Sequence, residues 1–170
     1  MTPGNGSLLE VDGRPALRFE RPLQYPPERV WRSLTDPAEQ AAWHPTPATI
    51  EPRVGGRVAF GGEGSPDGVV TDYDPPRLLA YTWGEDGPEA DHLRWELRPH
   101  DEGCLLVLVH SFEDRLKAAR DGAGWHVCLD SLSVTLAGGD PPEESAWSEL
   151  NDEYQRSFGI SPEEATPPPH

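Results

Sequence analysis

Two short amphipathic helices are predicted by the early stretch PPERVWRSLTDPAEQAAWHP. Pro26 and Pro27 suit a helix start, and the Thr35-Asp36-Pro37 break supplies a cap and a first position for the second helix. The apolar faces are Val30, Trp31 and Leu34 in the first helix, and Ala38, Ala42 and Trp43 in the second. Helices shorter than about 12 residues are marginal alone in water. We therefore expect both to lie against a sheet.

Short stretches of alternating apolar residues, separated by Gly, Pro and Asp, predict an antiparallel meander. An opening hairpin is expected from Leu8–Val11 and Ala16–Leu23, joined by Asp12-Gly13, and residues before Ser7 are expected to be loose. The further strands are predicted at Thr49–Glu51, Arg57–Phe60, Gly68–Tyr73, Leu78–Trp83, Leu93–Leu97 and Leu105–Phe112.

Alternation within the later strands assigns an inward face that is rich in aromatic residues. This face consists of Leu79, Tyr81 and Trp83, of Leu93, Trp95 and Leu97, and of Leu106, Leu108, His110 and Phe112. The period then becomes helical: Trp125, Cys128, Leu129, Leu132 and Leu136 form a stripe that ends at Gly138-Gly139. Such a sheet followed by one long helix predicts an α+β fold in which the sheet curls around that helix.

The last thirty residues add a further helix. After the break at Asp140-Pro141-Pro142, apolar residues recur at helical spacing at Trp147, Leu150, Tyr154 and Phe158, which predicts a helix over about 142–158 and a disordered tail. Leu105, Val107 and Val109 are apolar although they point away from the core. We expect the terminal helix to cover that outer face, on its own sheet or on a partner, so a homodimer stays open.

Composition removes several classes of function. The chain has 170 residues, with 30 acidic and 14 basic residues and a formal charge of -16, which disfavours nucleic acid and anionic membranes. Cys104 and Cys128 are too few for a disulfide framework. The sequence shows no membrane span and no signal pattern, so we expect an acidic cytoplasmic protein with reduced thiols.

Several segments resemble a known family in number and in order. They are PPERVWRSLTDP at 26–37, Trp43, RVGGRV at 53–58, DPPRLLAYTW at 74–83, LRWEL at 93–97, the strand ending in His110, and GWHVCLDSL at 124–132. The chain resembles bacterial proteins similar to the C-terminal domain of the heat-shock-protein-90 ATPase activator, within the SRPBCC or START-like superfamily. The resemblance covers about residues 7–139.

The resemblance implies a helix-grip fold. A curved antiparallel sheet would wrap around the long helix Asp121–Ala137, with the helix pair closing one end and a cavity between them. Residues 7–139 would form this domain, and residues 140–170 would be an extension that the family pattern does not require. The family offers no shared catalytic motif, and no cofactor is expected.

A cavity in this fold would be lined by inward aromatic and apolar residues. The candidates for ligand contact are Phe60, Tyr73, Tyr81, Trp83, Trp95, His110, Phe112, Trp125 and Leu129. The same spacing is also typical of a solid core, and the sequence alone does not separate the two readings.

Three functions stay open at this point. The first is binding of a small hydrophobic molecule for sequestration, transport or sensing, which needs no catalytic group. The second, which START-like enzymes suggest, is a polyketide cyclase/dehydratase-like or hydrolase activity on a polyketide-like substrate in the same cavity, with His110 as acid or base and Tyr73 or Tyr81 as a polarising donor. The third is association with a chaperone, as the family name suggests. We expect the first, and hence a binding protein rather than an enzyme.

Other polar residues point to no further chemistry. No HExxH or similar spacing occurs, so no metal site is predicted, and His44, His92 and His100 are expected in loops or at outward positions. The carboxylates of Asp67, Asp72, Glu96 and Asp130 are expected to be surface charges, because the sequence cannot pair any of them across the fold.

Overall fold

A computed structural model of the protein describes residues 5–44, 47–60, 67–83, 90–141 and 146–165. Within these residues the chain forms one antiparallel sheet. Its strands are β1 (Ser7–Val11), β2 (Arg14–Leu23), β3 (Ala48–Ile50), β4 (Arg57–Phe60), β5 (Gly68–Asp74), β6 (Leu78–Trp83), β7 (Asp91–His100) and β8 (Gly103–Ser111). Every strand predicted from alternation is confirmed, with ends that differ by a few residues.

The order of the strands across the sheet is β1-β2-β8-β7-β6-β5-β4-β3. The first hairpin turns at Asp12 and Gly13, whose φ angles of 52° and 80° are both positive. Two consecutive positive φ angles suit the right-handed twist of a two-residue hairpin, and Asp-Gly adopts them at low cost. β8 returns to pair with β2, so the last strand lies beside the opening hairpin.

The helices are α1 (Pro27–Thr35), α2 (Pro37–Gln40), α3 (Ala118–Leu136) and α4 (Trp147–Phe158), and a single 3₁₀ turn at Arg115–Lys117 leads into α3. Asp36 caps α2 as expected, since its side chain accepts a hydrogen bond from the backbone N–H of Ala38 at 2.9 Å. The predicted helix pair and long helix are confirmed, but the predicted buried face of the second helix is wrong in part: α2 ends at Gln40, Ala38 and Ala42 are exposed, and Trp43 is buried beyond its end.

The long helix α3 lies in the concave face of the sheet. Leu129 and Leu132 on α3 are each 1% exposed, as is Leu93 on β7, and Leu79 on β6 is fully buried. The inward sets assigned from alternation are buried, except that Trp83 at the end of β6 is only partly buried. The fold class is therefore confirmed: an α+β domain with a curved antiparallel sheet around a long terminal helix.

The C-terminal helix does not lie where the sequence suggested. We expected α4 on the outer face of the sheet, but it packs on α3. Its buried Tyr154 and Phe158 lie beside Gly122 of α3 and Leu17 of β2. Gly122 leaves room on the back of α3, and this is the surface that α4 covers. Residues 142–145 and the tail after residue 165 are outside the described residues.

The apolar outer face of β8 is covered in another way. Val107 is 3% exposed, and its sheet neighbours on either side are Glu20 and Glu96. Glu20 pairs with Arg18, and Glu96 pairs with Arg94 and Arg98. Long charged side chains bury apolar surface along their stems while the charges stay in water. This ion-paired layer removes the need for a helix on that face.

The residue just before the first strand is held more firmly than we expected. Gly6, before the first strand, is buried, and its backbone N–H donates a hydrogen bond to the hydroxyl oxygen of Tyr154 at 2.8 Å. The expectation of a loose segment up to Ser7 is wrong for this residue. The reason is the position of α4, which brings Tyr154 to the edge of β1.

Candidate functional site

An open pocket of about 850 Å³ lies at one end of the domain, between α3, the turn after α2, the beginning of β7 and the beginning of α4. This volume falls within the range of roughly 300–1,000 Å³ that is typical of small-molecule sites. The described residues in its walls are Ala41, Ala42, Trp43, His44, Trp83, Asp91, His110, Lys117, Arg120, Asp121, Gly124, Trp125, Val127, Cys128, Ser131, Pro141 and Trp147.

Three of the residues expected to contact a ligand lie in this wall: Trp83, His110 and Trp125. The other six candidates belong to the packed interior or to the opposite end of the sheet; they are Phe60, Tyr73, Tyr81, Trp95, Phe112 and Leu129. Tyr73, for example, packs edge-on against Trp31 of α1, with ring centroids 5.8 Å apart. The interior beneath α3 is thus largely filled, and the pocket lies at its rim.

Tyr81 and Trp95 form a closed pair inside the core. The indole N–H of Trp95 donates to the hydroxyl oxygen of Tyr81 at 3.1 Å. Burial raises the pKa of Tyr81 to about 12, although this hydrogen bond acts in the opposite direction. Both side chains are less than 10% exposed. Tyr81 is therefore a neutral core phenol, and the structure does not bring it and Tyr73 together with His110.

The floor of the pocket is a chain of hydrogen bonds across three elements. The indole N–H of Trp125 on α3 donates to Nδ1 of His110 on β8 at 2.9 Å. Nε2 of His110 lies 2.8 Å from Oδ2 of Asp91 on β7. Because an indole can only donate, Nδ1 must be the acceptor and the proton of a neutral ring lies on Nε2. Both ring nitrogens of His110 are thus engaged.

Asp91 is a partly buried carboxylate with two donors. Besides His110, it accepts a hydrogen bond from the ammonium group of Lys117 at 2.5 Å. Burial opposes ionisation of Asp91, but the hydrogen bonds and the electrostatic attraction of His110 and Lys117 outweigh it and lower the pKa to about 2. Asp91 therefore stays ionised at neutral pH.

Two more charges extend this cluster along the first turns of α3. Asp121 accepts from Arg120 Nε at 2.9 Å through Oδ1, and its Oδ2 lies 3.4 Å from Lys117 Nζ. The side chains of Lys117, Arg120 and Asp121 are 18%, 26% and 16% exposed. The result is a partly buried polar pole at one end of an otherwise aromatic pocket.

Asp91, His110 and Asp121 place one potential metal ligand each within 4.8 Å of one another. No spacing in the sequence predicts this cluster, because the three residues come from two strands and a helix. The position between the carboxylates is taken by the ammonium group of Lys117, and the unprotonated nitrogen of His110 accepts from Trp125. The ion pairs of the protein itself thus satisfy these groups.

His44 belongs to the pocket, although we expected it in a loop without a role. Its ring meets the rings of Trp43 and Trp125 edge-on, with centroids 5.3 Å and 5.6 Å away. Burial lowers the pKa of His44 to about 4. It is therefore a neutral ring at pH 7 and serves as part of the aromatic wall.

Cys128 also faces the pocket, but it is not a reactive thiol. Burial raises its pKa to about 12, so the thiolate that nucleophilic chemistry requires is essentially absent at neutral pH. Cys104 is likewise buried, and burial raises its pKa to about 11. Both cysteines are free thiols, as the sequence indicated.

The four carboxylates weighed from the sequence lie outside the pocket. Asp67 pairs with Arg57, Glu96 with Arg94 and Arg98, and Asp130 with Arg21. Asp72 is exposed on β5. The charged carboxylates of the pocket are instead Asp91 and Asp121. The alternation pattern does not single them out, apart from placing each next to residues of an aromatic-rich element.

One wall of the pocket comes from the extension after α3. Pro141 and Trp147 both line it, and Trp147 faces Gly124 of α3 across the opening. A Cβ atom built on Gly124 would meet no described atom outside its own helix nearer than Nε1 of Trp147, at 4.0 Å. The absence of a side chain at Gly124 thus keeps this part of the pocket open.

The sheet, the long helix and the end pocket together define a protein of the helix-grip class. A family model for "Activator of Hsp90 ATPase homolog 1-like protein" matches residues 24–137, which is more than half of the chain. The chain therefore belongs to this family, within the SRPBCC superfamily, and the resemblance inferred from its motifs is confirmed. Pro141 and Trp147 lie beyond the matched segment.

Solved structures show the same fold. CalU16 from Micromonospora echinospora is 22% identical, with a TM-score of 0.70 over 91% of this chain and 92% of that one. A conserved protein of unknown function from Enterococcus faecalis, EF2215, is 20% identical, with a TM-score of 0.76 over 92% of each chain. A Bordetella parapertussis protein encoded by BPP1335 is 28% identical, with a TM-score of 0.64 over 94% of this chain and 92% of that one.

No curated protein matches this chain. Among its described residues, no helix is both long enough and apolar enough to cross a membrane.

Proposed function

We propose that this protein binds a small, largely apolar molecule in the pocket between α3, the turn after α2 and the start of α4. The observation that carries the proposal is the aromatic wall of that pocket. Trp43, Trp83, Trp125 and Trp147 surround a space of about 850 Å³ beside the buried hydrophobic core. Sites for small molecules are typically concave, mostly apolar, and equipped with a few polar groups.

The polar floor supports binding rather than the catalytic role considered for His110. A general base needs a free nitrogen within reach of the substrate. The two nitrogens of His110 are engaged by Trp125 and Asp91, and the ring is only 6% exposed. Tyr73 and Tyr81, the two proposed donors, do not line the pocket. Binding of a molecule in the pocket, by contrast, requires no rearrangement of the His110, Trp125 and Asp91 side chains.

Gly124 offers a direct test, because it lies in the wall and a Cβ atom there would meet Nε1 of Trp147 at 4.0 Å, an ordinary van der Waals distance. Replacing it with Leu fills the pocket and also removes an unfavourable glycine from a helix, which stabilises helices by about 1 kcal/mol. The Leu side chain must displace or pack against Trp147, so the folding of the variant is checked separately. Gly124→Ala, which adds only a methyl group, is the matched control.

The experiment is a titration with N-phenyl-1-naphthylamine, an uncharged dye that fluoresces in apolar sites. We expect saturable binding to the wild type and to Gly124→Ala, and at least tenfold weaker binding to Gly124→Leu. Far-ultraviolet circular dichroism checks that all three proteins are folded. Equal binding by Gly124→Leu would place the dye elsewhere, and no binding by the wild type, together with no thermal shift in a panel of apolar compounds, would reject the proposed function.

A further inference from the structure

The polar end of the pocket offers more hydrogen-bond donors than acceptors. Among the described residues of the wall, its charged groups are Asp91, Asp121, Lys117 and Arg120. Their formal charges sum to zero. The balance between free donors and free acceptors therefore depends on which atoms are already hydrogen-bonded. This balance can be read from the contacts of the four side chains.

Three of the four carboxylate oxygens are paired, and Oδ1 of Asp91 makes no hydrogen bond to a described residue. Both oxygens of Asp121 are paired, one with Arg120 Nε and the other with Lys117 Nζ. Asp91 receives His110 and Lys117 on the same oxygen. A positively charged ligand group would therefore have one unpaired carboxylate oxygen to bind, and the charges of Lys117 and Arg120 would repel it.

The donors are not exhausted. A guanidinium has five N–H groups, and the only hydrogen bond that Arg120 makes to a described residue uses Nε. The side chain is 26% exposed, and it lines the pocket. Its two terminal nitrogens form the planar fork that matches a carboxylate. Asp121 holds this fork in place through Nε.

We infer that the molecule bound in the pocket carries an acidic oxygen group, of the carboxylate type, which pairs with Arg120 while its apolar body lies against the tryptophans. This inference rests on the proposed function. It names the class of ligand: an amphipathic organic acid with a ring system or a short apolar chain. Lys117 acts here as a positioning residue, since it neutralises Asp91 and Asp121 and keeps their negative charge from the incoming acid.

The overall charge of -16 does not oppose this assignment at close range. At physiological ionic strength the potential of distant surface charges is screened beyond about 8 Å. At contact distance the paired carboxylates and the free guanidinium nitrogens dominate. The acidic surface should slow the approach of the ligand more than it weakens the complex.

The test uses two probes with the same ring system, 1-pyrenebutyric acid and 1-pyrenebutanol, which differ in a carboxylate and a hydroxyl. Energy transfer from the tryptophans to pyrene reports binding. We expect the wild type to bind the acid at least tenfold more tightly than the alcohol at neutral pH. In Arg120→Gln the affinity for the acid should fall about tenfold, and the affinity for the alcohol should stay within twofold.

Arg98→Gln is the matched control, because it removes the same charge from an exposed ion pair with Glu96 on the far side of the sheet. It should change neither affinity. Arg120→Lys keeps the charge without the fork and should lose less than Arg120→Gln; it also provides a second folded variant. Binding of the two probes with equal affinity, or an unchanged preference in both Arg120 variants, would overturn the inference and leave the proposed function standing. Failure of both probes to bind would count against the proposed function instead.

Discussion

Nε1 of Trp125 lies 2.9 Å from Nδ1 of His110, and this contact joins the long helix to the last strand at the floor of the pocket. It fixes the protonation pattern of the histidine, because the indole has no acceptor to offer in return. It also occupies the nitrogen that a general base would need. Trp125 thus forms part of the pocket wall and also determines which nitrogen of His110 carries the proton.

Replacing Trp125 by Phe should release His110. The variant leaves a buried acceptor without a donor, which costs about 1–3 kcal/mol of unfolding free energy. Nitrogen-15 NMR of the histidine rings should show a protonated Nε2 and an unprotonated Nδ1 in the wild type, and a shifted Nδ1 signal in Trp125→Phe, where Nδ1 has lost its donor while Asp91 still accepts from Nε2. Trp147→Phe serves as a control and should leave the His110 signals unchanged. A protonated Nδ1 in the wild type at pH 7 would contradict the hydrogen-bond assignment.

His44 predicts how stability depends on pH. Burial lowers its pKa from 6.5 to about 4, so the unfolded chain binds a proton between these values and the folded chain does not. The stabilising effect of the neutral ring is complete above pH 6.5 and is lost as the pH falls towards 4. Urea unfolding should show a loss of up to about 3 kcal/mol from this group across that window.

In His44→Phe this part of the pH dependence should disappear, since the ring no longer titrates. His100→Gln replaces a half-exposed histidine and should keep the dependence of the wild type. Parallel pH profiles for the wild type and His44→Phe would show that His44 is not the group responsible. Asp91 does not interfere in this window, because its pKa is lowered to about 2.

Gln40 should be one of the most sensitive polar positions. Its amide is buried and donates to the carbonyl oxygens of Leu34 and Ala48 at 2.8 Å and 3.2 Å, while its carbonyl accepts from the Ala48 backbone N–H at 2.8 Å. Gln40→Leu leaves these backbone groups unsatisfied and should cost about 2–4 kcal/mol. Chemical denaturation measures the loss.

Gln40→Glu retains the acceptor and removes the donors, so it separates the two halves of the interaction. Glu39→Gln changes a half-exposed neighbour that pairs with Arg29 and should cost less than 1 kcal/mol. A Gln40→Leu variant as stable as the wild type would mean that this hydrogen-bond set does not hold β3 to the helix pair.

Trp147 should contribute to ligand affinity without being essential to the fold. The anchors of α4 are Tyr154 and Phe158, which are 3% and 7% exposed, whereas Trp147 lies at the pocket. Trp147→Ala is expected to weaken binding of N-phenyl-1-naphthylamine about tenfold, or about 1.4 kcal/mol. Leu150→Ala on the same helix, which does not line the pocket, should lower stability and leave affinity unchanged. The opposite pattern would remove Trp147 from the site.

The spacing of apolar residues and the positions of turn-forming residues were enough to predict the strands, the helices and the way they pack. The alternating sets of β6, β7 and β8 and the stripe on α3 bury the expected residues because the core requires one apolar face from each element. The inward histidine His110 was also found this way. These features depend on residues close together in sequence, where a pattern has a direct structural meaning.

The pocket was harder to predict because it depends on contacts between distant elements. Asp91 and Lys117 come from separate parts of the chain, and only the curvature of the sheet brings them together. Most of the aromatic residues predicted as ligand contacts fill the core instead. Alternation shows towards which face of the sheet a side chain points, but it does not show how deeply that side chain is buried. The predicted position of α4 on the outer face of the sheet was wrong, because charged side chains can cover an apolar sheet face as well as a helix can.

The split origin of the pocket wall has an evolutionary consequence. Residues 24–137 carry the family's shared scaffold, while Pro141 and Trp147 come from the chain that follows it. Under the proposed function, substitutions in this following segment should change which molecule the pocket selects without altering the matched segment. Relatives that differ mainly after the long helix would then be suitable partners for chimeras joined after Leu136. Each chimera would combine one protein's sheet and long helix with another protein's following segment, and its ligand selectivity could be compared with that of both parents.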